Sequence, residues 1–257
     1  MYEITKLLSR EVFDDLIKIL PIPKQKRMGR KRCEFEAILN GILQVLVNGV
    51  SWGKIAECGC SYVTSYRYFK ELQRRGKLKL VFEVLTKEKT DITESAIDTS
   101  SASSFRFRRM AEWDGKHKKT ATKISLLTDI KGLPVDVAFA KGATDDRDFV
   151  PIHLRNGGCR RKIKILNLDK GYTSADLRRD LRKRGTYVNM QTKIGDYIRK
   201  IGPKFGFKEE KYKIRFLIEK VFAWMKNFKR IRRRREYNPA MYKAFVYLAL
   251  ILILLRN

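Results

Sequence analysis

The spacing of the apolar residues changes near residue 92, and this change restricts the fold more than any other feature of the chain. Before it, apolar residues recur at helical spacing, as in CEFEAILNGILQVLVNG, which ends in a glycine suited to cap a helix. After it, KISLLTDIKGLPVDVAFA alternates as two strands joined by a tight turn at Asp129–Gly132. We therefore predict a helical domain over residues 1–90 and a sheet-containing domain over residues 91–257.

The helical domain has a layout that suits DNA binding. SWGKIAECG and SYVTSYRYFKELQRRG are predicted as two short helices broken at Gly59. The second helix carries Arg67 and Lys70 among tyrosines, and such a helix fits the major groove of DNA in helix–turn–helix proteins. Many small helical domains look alike, so this pattern alone also permits a domain without that role.

The rest of the chain is predicted to be a mixed α/β domain. SAIDTSS, KIKILNLDKGY and TYVNM are predicted strands, and the second has the apolar centre of a strand buried on both faces. TSADLRRDLRKRG is predicted as a helix that Ser174 caps and Gly185 ends. A long helix and a basic run follow. The terminal AFVYLALILILL is shorter than the about 20 residues that cross a bilayer, so we predict a buried helix there.

The chain carries 57 lysines and arginines against 28 acidic residues, a net charge of +29. A charge of this size concentrates polyanions, which makes nucleic acid the first candidate partner and an anionic membrane surface a weaker second. Four cysteines without CxxC spacing and two histidines disfavour a zinc site. The N-terminus lacks the apolar region of a signal peptide. We therefore expect a cytoplasmic, nucleoid-associated protein with no membrane partner.

Two aspartates lie in or at the end of predicted strands. Asp98 lies in the first strand and Asp169 ends the buried one. Ligand sites of open α/β sheets gather at strand ends, and an ionised aspartate there is costly unless it is paired or bound to a metal ion. Either residue, taken alone, could equally be a cap or a turn residue.

Glu219 is a carboxylate among apolar and basic residues in the predicted long helix KIRFLIEKVFAWMK. At about 100° per residue, it shares a face with Tyr212, Arg215 and Lys226, opposite an apolar stripe. A plain ion pair with Arg215, four residues earlier, would also explain it. Two strand aspartates and one helix glutamate in so basic a chain nevertheless suit two divalent metal ions.

The spacing of Tyr212, Arg215, Glu219 and Lys226 reproduces the signature Y-x2-R-x3-E-x6-K. With AIDTSS, TKISLLTDIKGLP, NLDKGY and RRREYNPAMYKAFVYLALILILLR in the same order, the chain resembles the DDE transposases of bacterial and archaeal insertion sequences, in the superfamily that joins families Four and Five. The short interval before Glu219 favours family Five, which lacks a β-rich insertion domain. One departure is Asp145–Asp146, where an HD-like dipeptide is common.

The resemblance implies a ribonuclease H-like fold in which Asp98, Asp169 and Glu219 hold two Mg²⁺ ions, for which Mn²⁺ can substitute. It also implies DNA strand cleavage and transfer, an N-terminal domain that binds the terminal inverted repeats, and a homodimer or higher oligomer in the synaptic complex. Residues implied or expected to contact double-stranded DNA are Tyr212, Arg215, Lys226, Lys229, Arg230, Arg232, Arg233, Lys123, Arg67 and Lys70.

Other functions stay open. A metal-dependent nuclease or resolvase could use the same fold, and a non-catalytic DNA-binding regulator could use residues 30–90 alone. Serine or tyrosine recombinases would need active-site motifs that the sequence lacks. His117 and His153 are interpreted as DNA-contacting or surface residues rather than catalytic ones.

Overall fold

The computed structural model describes residues 8–23, 28, 31–55, 59–105, 109–156, 163–191 and 206–257. The chain forms two compact units. The first comprises Met1–Leu85, Ser103–Arg109 and Trp224–Asn257, and the second comprises Thr86–Ala102 and Met110–Ala223. The division into two domains at residue 90 stays a prediction.

The first unit begins with a helical segment, as the sequence predicts. Helix α2 (Phe35–Asn48) is capped by Gly49, whose positive φ of 66° lets its amide bond the carbonyl of Val45 at 3.1 Å. The predicted helix at SWGKIAECG is wrong in the described part: only a three-residue 3₁₀ turn, Trp52–Lys54, forms after Ser51, which gives no side-chain cap. The four helices are α1 (Arg10–Ile19), α2 (Phe35–Asn48), α3 (Tyr62–Arg74) and α4 (Lys77–Lys89).

The C-terminal helix, α10 (Pro239–Arg256), belongs to the same unit. Asn238 caps it by accepting a hydrogen bond from the amide of Ala240, and Phe245 stacks on Phe69 of α3 with ring centroids 4.3 Å apart. The helix is long and apolar enough to cross a membrane, but 61% of its 18 residues are buried inside the structure. The prediction of a buried terminal helix is confirmed.

The second unit is built on a mixed sheet. Its strand order is β2-β3-β1-β5-β6, and β4 pairs with β3. The parallel pairs β1–β5 and β5–β6 and the antiparallel hairpin β3–β4 explain the change in apolar spacing. The strands are β1 (Glu94–Ser104), β2 (Glu112–Asp114), β3 (Lys119–Thr128), β4 (Pro134–Lys141), β5 (Ile165–Asn167) and β6 (Tyr187–Asn189). The end of β1 lies in the first unit and pairs with β7 (Arg233–Arg234).

The hairpin turn at Asp129 is confirmed. The carboxylate of Asp129 accepts hydrogen bonds from the amides of Lys131 and Leu133, and the amide of Gly132 bonds the carbonyl of Asp129 at 3.0 Å. Gly132 has a φ of 80°, and a Cβ atom there would lie 2.7 Å from the Cβ atom of Leu217. This position therefore requires glycine for both its backbone conformation and its close packing.

The strand predicted at KIKILNLDKGY is shorter than expected. Only Ile165–Asn167 form β5. The amide of Leu168 still bonds the carbonyl of Asn189, but the strand cannot continue because Asp169 caps a 3₁₀ turn, Lys170–Tyr172. The following helix is α6 (Ala175–Lys183), and the residues predicted to start and end it are confirmed. Ser174 accepts a hydrogen bond from the amide of Leu177, and Gly185 has a φ of 72°. Helix α5 (Phe149–Arg155) precedes β5.

The predicted long helix is divided into two pieces. The first piece, α7 (Glu209–Tyr212), ends at Tyr212. The second piece, α8 (Ile214–Asn227), follows Lys213, whose carbonyl accepts a hydrogen bond from the amide of Phe216 in a tight turn. The spacing predicts that Tyr212 lies on the same helix as Glu219. In the structure Tyr212 ends α7, and Glu219 lies on α8. The apolar stripe of α8 is confirmed by its buried residues Ile214, Ile218, Val221 and Met225. A last short helix, α9 (Lys229–Arg232), precedes β7.

Candidate active site

Asp98 lies in the middle of β1, and its carboxylate is largely withdrawn from water. Its Oδ1 accepts a hydrogen bond of 2.8 Å from the amide of Thr99. Burial raises the pKa of Asp98, and the nearby charges of Asp169 and Asp146 raise it further, while the Thr99 amide and Arg215 lower it. These carboxylates are therefore near enough to repel one another.

Asp169 lies two residues beyond the end of β5. Its Oδ1 accepts a hydrogen bond of 2.8 Å from the amide of Lys170, so the residue caps the 3₁₀ turn that follows. The hydroxyl of Tyr212 lies 3.5 Å from the same oxygen, and Nη1 of Arg215 lies 3.6 Å from it. The cap interpretation of Asp169 is thus confirmed, and its role in a metal site stays a prediction.

Arg215 connects the predicted acidic residues. Its Nη2 donates a hydrogen bond of 3.0 Å to Oε1 of Glu219, while Nη1 faces Asp169. The net effect of its surroundings raises the pKa of Arg215: its burial acts to lower that pKa, and Tyr212, Asp169, Asp98 and Glu219 act to raise it. The ion pair between Arg215 and Glu219 that the sequence predicts is therefore present. The same guanidinium also faces Asp169, and its charge lowers the pKa of Asp98.

The three carboxylates differ in how well they fit a metal ion. No group of three or more acidic, histidine or cysteine side chains within the described ranges is close enough to hold one. Asp98 and Asp169 fit as oxygen donors, because their mutual repulsion would be relieved by a cation and Mg²⁺ commonly takes one or two carboxylates with substrate phosphates. Glu219 is half exposed, and its Oε1 is bonded to Arg215, so that oxygen is less available to a metal ion while the pair persists.

Asp146 is a fourth carboxylate of this region and is not among the residues that the sequence predicts for the site. It begins a 3₁₀ turn before α5, and its Oδ1 accepts hydrogen bonds from Thr99 Oγ1 at 2.8 Å and Lys123 Nζ at 2.9 Å. Its charge also raises the pKa of Asp98. The signal that could have identified it is the acidic dipeptide at the place of the family's HD-like motif.

Tyr172 was also missed. Its hydroxyl is buried and, among the residues that the structure describes, has no hydrogen bond of ordinary geometry. Burial raises the pKa of Tyr172, and the charges of Asp98, Asp146 and Asp169 raise it further, while the side chain of Thr99, which lies near the hydroxyl, acts to lower it. The hydroxyl therefore lies among the acidic residues of the site. The sequence NLDKGY places it three residues after Asp169, which was the available signal.

The predicted DNA-contacting residues fall into three groups, of which Tyr212 and Arg215, both near Asp169, form the first. Lys123 is buried, with Nζ bonded to Asp146 and to the carbonyl of Thr144 at 2.6 Å. Arg230 is buried against Phe245 and paired with Glu236. The exposed members of the set are Arg67, Lys70, Lys226, Lys229, Arg232 and Arg233, all in the first unit.

The expectation for His153 is wrong. We expected a surface or DNA-contacting residue, but the side chain is completely buried, with Nδ1 2.7 Å from Asp136 and Nε2 2.9 Å from Ser125. From α5, His153 reaches Ser125 of β3 and Asp136 of β4, which bond its two ring nitrogens. His117 lies on the β2–β3 turn, half exposed, with Nδ1 2.8 Å from Asp114.

A mixed sheet with an aspartate on one strand, a second beyond its neighbour and an arginine–glutamate pair on a later helix is the arrangement that the sequence predicts for a DDE-type site. Residues 60–255 match the family described as "Transposase DDE domain", and the chain belongs to this family. Residues 8–82 match the family described as "Putative transposase of IS4/5 family". These matches confirm the predicted family and, with the observed architecture, the predicted α/β ribonuclease H-like class with its helical N-terminal segment.

Two proteins of Burkholderia cepacia are similar to this chain. It is 32% identical over 105 residues to the "Insertion element IS402 uncharacterized 16.2 kDa protein", an alignment that covers 37% of this chain and 71% of the relative. It is 27% identical over 143 residues to the "Putative transposase for insertion sequence element IS402", covering 52% of this chain. The chain spans only 63% of the length of this second relative.

Solved structures of transposases are similar at low identity. A piggyBac transposase synaptic complex with hairpin DNA gives a TM-score of 0.49 at 9% identity, with 97% of this chain and 70% of that chain covered. A Mos1 transposase paired-end complex gives 0.28 at 10% identity, with 86% and 82% covered. Similarity at this level does not specify function.

Proposed function

We propose that this protein binds the ends of its insertion sequence and cleaves and joins DNA strands there. The observation that carries the proposal is the position of Arg215, which bonds Glu219 at 3.0 Å and faces Asp169 at 3.6 Å while its charge acts on Asp98. One cation thus acts on three acidic residues beside the end of β5, and these residues keep an excess of negative charge. Such a concentration of negative charge in a chain of net charge +29 suits metal-assisted phosphoryl transfer.

The proposed reaction has two steps without a covalent protein intermediate. A water oxygen bonds to phosphorus at the element's end and the P–O3′ bond breaks, which leaves a free 3′-hydroxyl. This hydroxyl then attacks a phosphorus of the target DNA and displaces a 3′-oxygen. Two Mg²⁺ ions, or Mn²⁺ in their place, would supply the polarisation of the phosphate and the activation of the water or hydroxyl.

The residues of the chain would share this work. Asp98 and Asp169 would hold the metal ions, and Glu219 would join them from α8. Arg215 would release Glu219 and pair with a DNA phosphate instead, because a guanidinium binds a phosphate as well as it binds a carboxylate. Tyr212, whose hydroxyl lies 3.5 Å from Asp169, would help to orient that carboxylate.

DNA binding would rest on the exposed basic residues of the first unit. Arg67 and Lys70 lie exposed on α3, the second predicted helix of the helix–turn–helix region. Lys226, Lys229, Arg232 and Arg233 would hold the phosphate backbone. The proposed working form is a homodimer or higher oligomer on two element ends, in the cytoplasm at the nucleoid.

One experiment tests the catalytic proposal. The protein is incubated with Mg²⁺ and DNA that carries the element ends, beside Glu219→Gln and a matched control, Glu210→Gln, whose glutamate is exposed on α7. We expect cleavage and joining by the wild type and the control, and binding without cleavage by Glu219→Gln. Equal activity of all three proteins would refute the role of Glu219.

The same experiment separates the other candidate functions. Cleavage without joining would indicate a nuclease or resolvase. Binding without cleavage by the wild type would indicate a DNA-binding regulator. The regulator is favoured by the helical N-terminal segment alone, with its exposed Arg67 and Lys70.

A further inference from the structure

A continuous chain of polar side chains lies buried in the second unit. Oδ2 of Asp136, on β4, accepts a hydrogen bond of 2.6 Å from Nδ2 of Asn156 and lies 2.7 Å from Nδ1 of His153. Nε2 of His153 lies 2.9 Å from Oγ of Ser125, on β3. Both His153 and Ser125 are 0% exposed. Since buried polar groups are costly unless they are bonded, this chain is stable only as a complete set.

The chain ends at the backbone of the candidate active site. Oγ of Ser125 donates its one proton in a hydrogen bond of 3.3 Å to the carbonyl oxygen of Asp98, so it accepts the hydrogen bond from Nε2–H of His153. The other end of that same peptide group is the amide of Thr99, which donates the 2.8 Å hydrogen bond to Oδ1 of Asp98. One peptide plane is therefore held by Ser125 on its carbonyl side and holds the carboxylate of Asp98 on its amide side.

We infer that His153 is a positioning residue for Asp98 and acts through Ser125. Asp136 fixes the ring of His153, the ring fixes the hydroxyl of Ser125, and the hydroxyl fixes the peptide plane whose amide orients the Asp98 carboxylate. A hydrogen bond accepted by the carbonyl also polarises the peptide and strengthens its amide as a donor. This inference rests on the proposed role of Asp98 in cleavage.

The location of the chain supports a positioning role over a purely structural one. An apolar cluster that includes Leu127, Val135 and Val150 supplies packing in the same unit without polar atoms. The polar chain instead runs from β4 through α5 and β3 to the strand of Asp98. Partners of metal-binding side chains in proteins typically change metal affinity or activity by about 10–100-fold when they are removed.

Ser125→Ala tests the inference with little change in volume. The matched control is Ser95→Ala: Ser95 lies on β1, is also 0% exposed, and its hydroxyl donates a hydrogen bond of 3.0 Å to the carbonyl of Ile92. We expect Ser125→Ala to lower kcat for DNA cleavage about 10-fold, with KM for DNA unchanged. Asp136→Asn should likewise lower kcat and leave KM for DNA unchanged. Ser125→Thr keeps the hydroxyl and should therefore recover activity. Ser95→Ala should retain wild-type kcat.

A second measurement on the full-length protein does not depend on cleavage. In backbone amide NMR, Ser125→Ala and Asp136→Asn should both shift the Thr99 amide resonance and speed its hydrogen exchange, whereas Ser95→Ala should leave it in place. Equal kcat in Ser125→Ala and Ser95→Ala would overturn the inference while the proposed function stands. If the wild type does not cleave DNA, the proposed function fails, and an unchanged Thr99 amide would overturn the inference as well.

Discussion

Arg215 donates a hydrogen bond of 3.0 Å to Glu219, the glutamate that the sequence signature assigns to metal binding. The same guanidinium faces Asp169 at 3.6 Å. A cation of the protein therefore stands where the proposed function needs metal ions, and the two must compete for the carboxylates until DNA offers phosphates to the arginine. This relationship makes Arg215 the most informative residue to change.

Arg215→Gln should separate metal binding from catalysis. Without the competing guanidinium, the affinity of the DNA-free protein for Mn²⁺ should rise, while DNA cleavage should fall about 100-fold, because a charge that stabilises the reacting phosphate is lost. Mn²⁺ titration and a cleavage assay measure the two effects. Lys213→Gln removes the same charge from an exposed position nearby and should change neither. A fall in Mn²⁺ affinity in Arg215→Gln would show that the arginine organises the carboxylates instead.

Asp98→Asn should stabilise the fold at neutral pH. The raised pKa of Asp98 means that the unfolded chain releases this proton at lower pH than the folded protein does. Stability is therefore lost as the pH rises above the unfolded value of about 3.9, and the advantage of the variant should grow as the pH rises through and above that value. Urea unfolding at several pH values measures it.

Asp145→Asn is the control of opposite sign. Hydrogen bonds from Arg147 lower the pKa of Asp145 to about 2, so the ionised side chain adds stability that is present above the unfolded pKa and is lost as the pH falls. This variant should be less stable than the wild type at pH 7 and equal to it near pH 2. The same trend for both variants would contradict the charge distribution described for the site.

Lys123→Met should destabilise the second unit. It leaves Asp146 without the cation that lies 2.9 Å away, in a place where the lysine and aspartate side chains are only 10% and 23% exposed. We expect a loss of about 2 kcal/mol in the free energy of unfolding, less than the about 3–5 kcal/mol typical of a fully buried pair. Chemical denaturation measures it. The double variant Lys123→Met/Asp146→Asn should regain much of the loss, and a purely additive result would deny the coupling.

Tyr172→Phe should leave the fold as stable as the wild type or more stable by about 1 kcal/mol. The hydroxyl that it removes is buried without a hydrogen bond of ordinary geometry to the described residues, and such a group costs free energy in the folded state. Thermal and chemical unfolding measure the difference. Tyr242→Phe is the contrasting control, since its buried hydroxyl donates a hydrogen bond of 2.9 Å to Ile231 and its loss should destabilise. A clear loss of stability in Tyr172→Phe would mean that its hydroxyl has a partner.

Features contained in one stretch of sequence were predictable. The turn at Asp129, the cap of α2 at Gly49, the cap of α6 at Ser174 and the apolar stripe of α8 depend on neighbouring residues and on a fixed period. The i,i+4 spacing likewise predicted the ion pair of Arg215 with Glu219, which the structure contains. These interactions are short in sequence, so the residues themselves decide them.

Features that join distant stretches were decided only by the tertiary structure. Asp146 meets Thr99 and Lys123 because β1 and β3 lie side by side and the turn before α5 passes next to them. His153 is buried because α5 places it between Ser125 and Asp136, and nothing in its own neighbourhood in sequence indicates that burial. Sequence periodicity tells which face of an element is apolar, but the partner that a polar side chain meets depends on how the elements pack together.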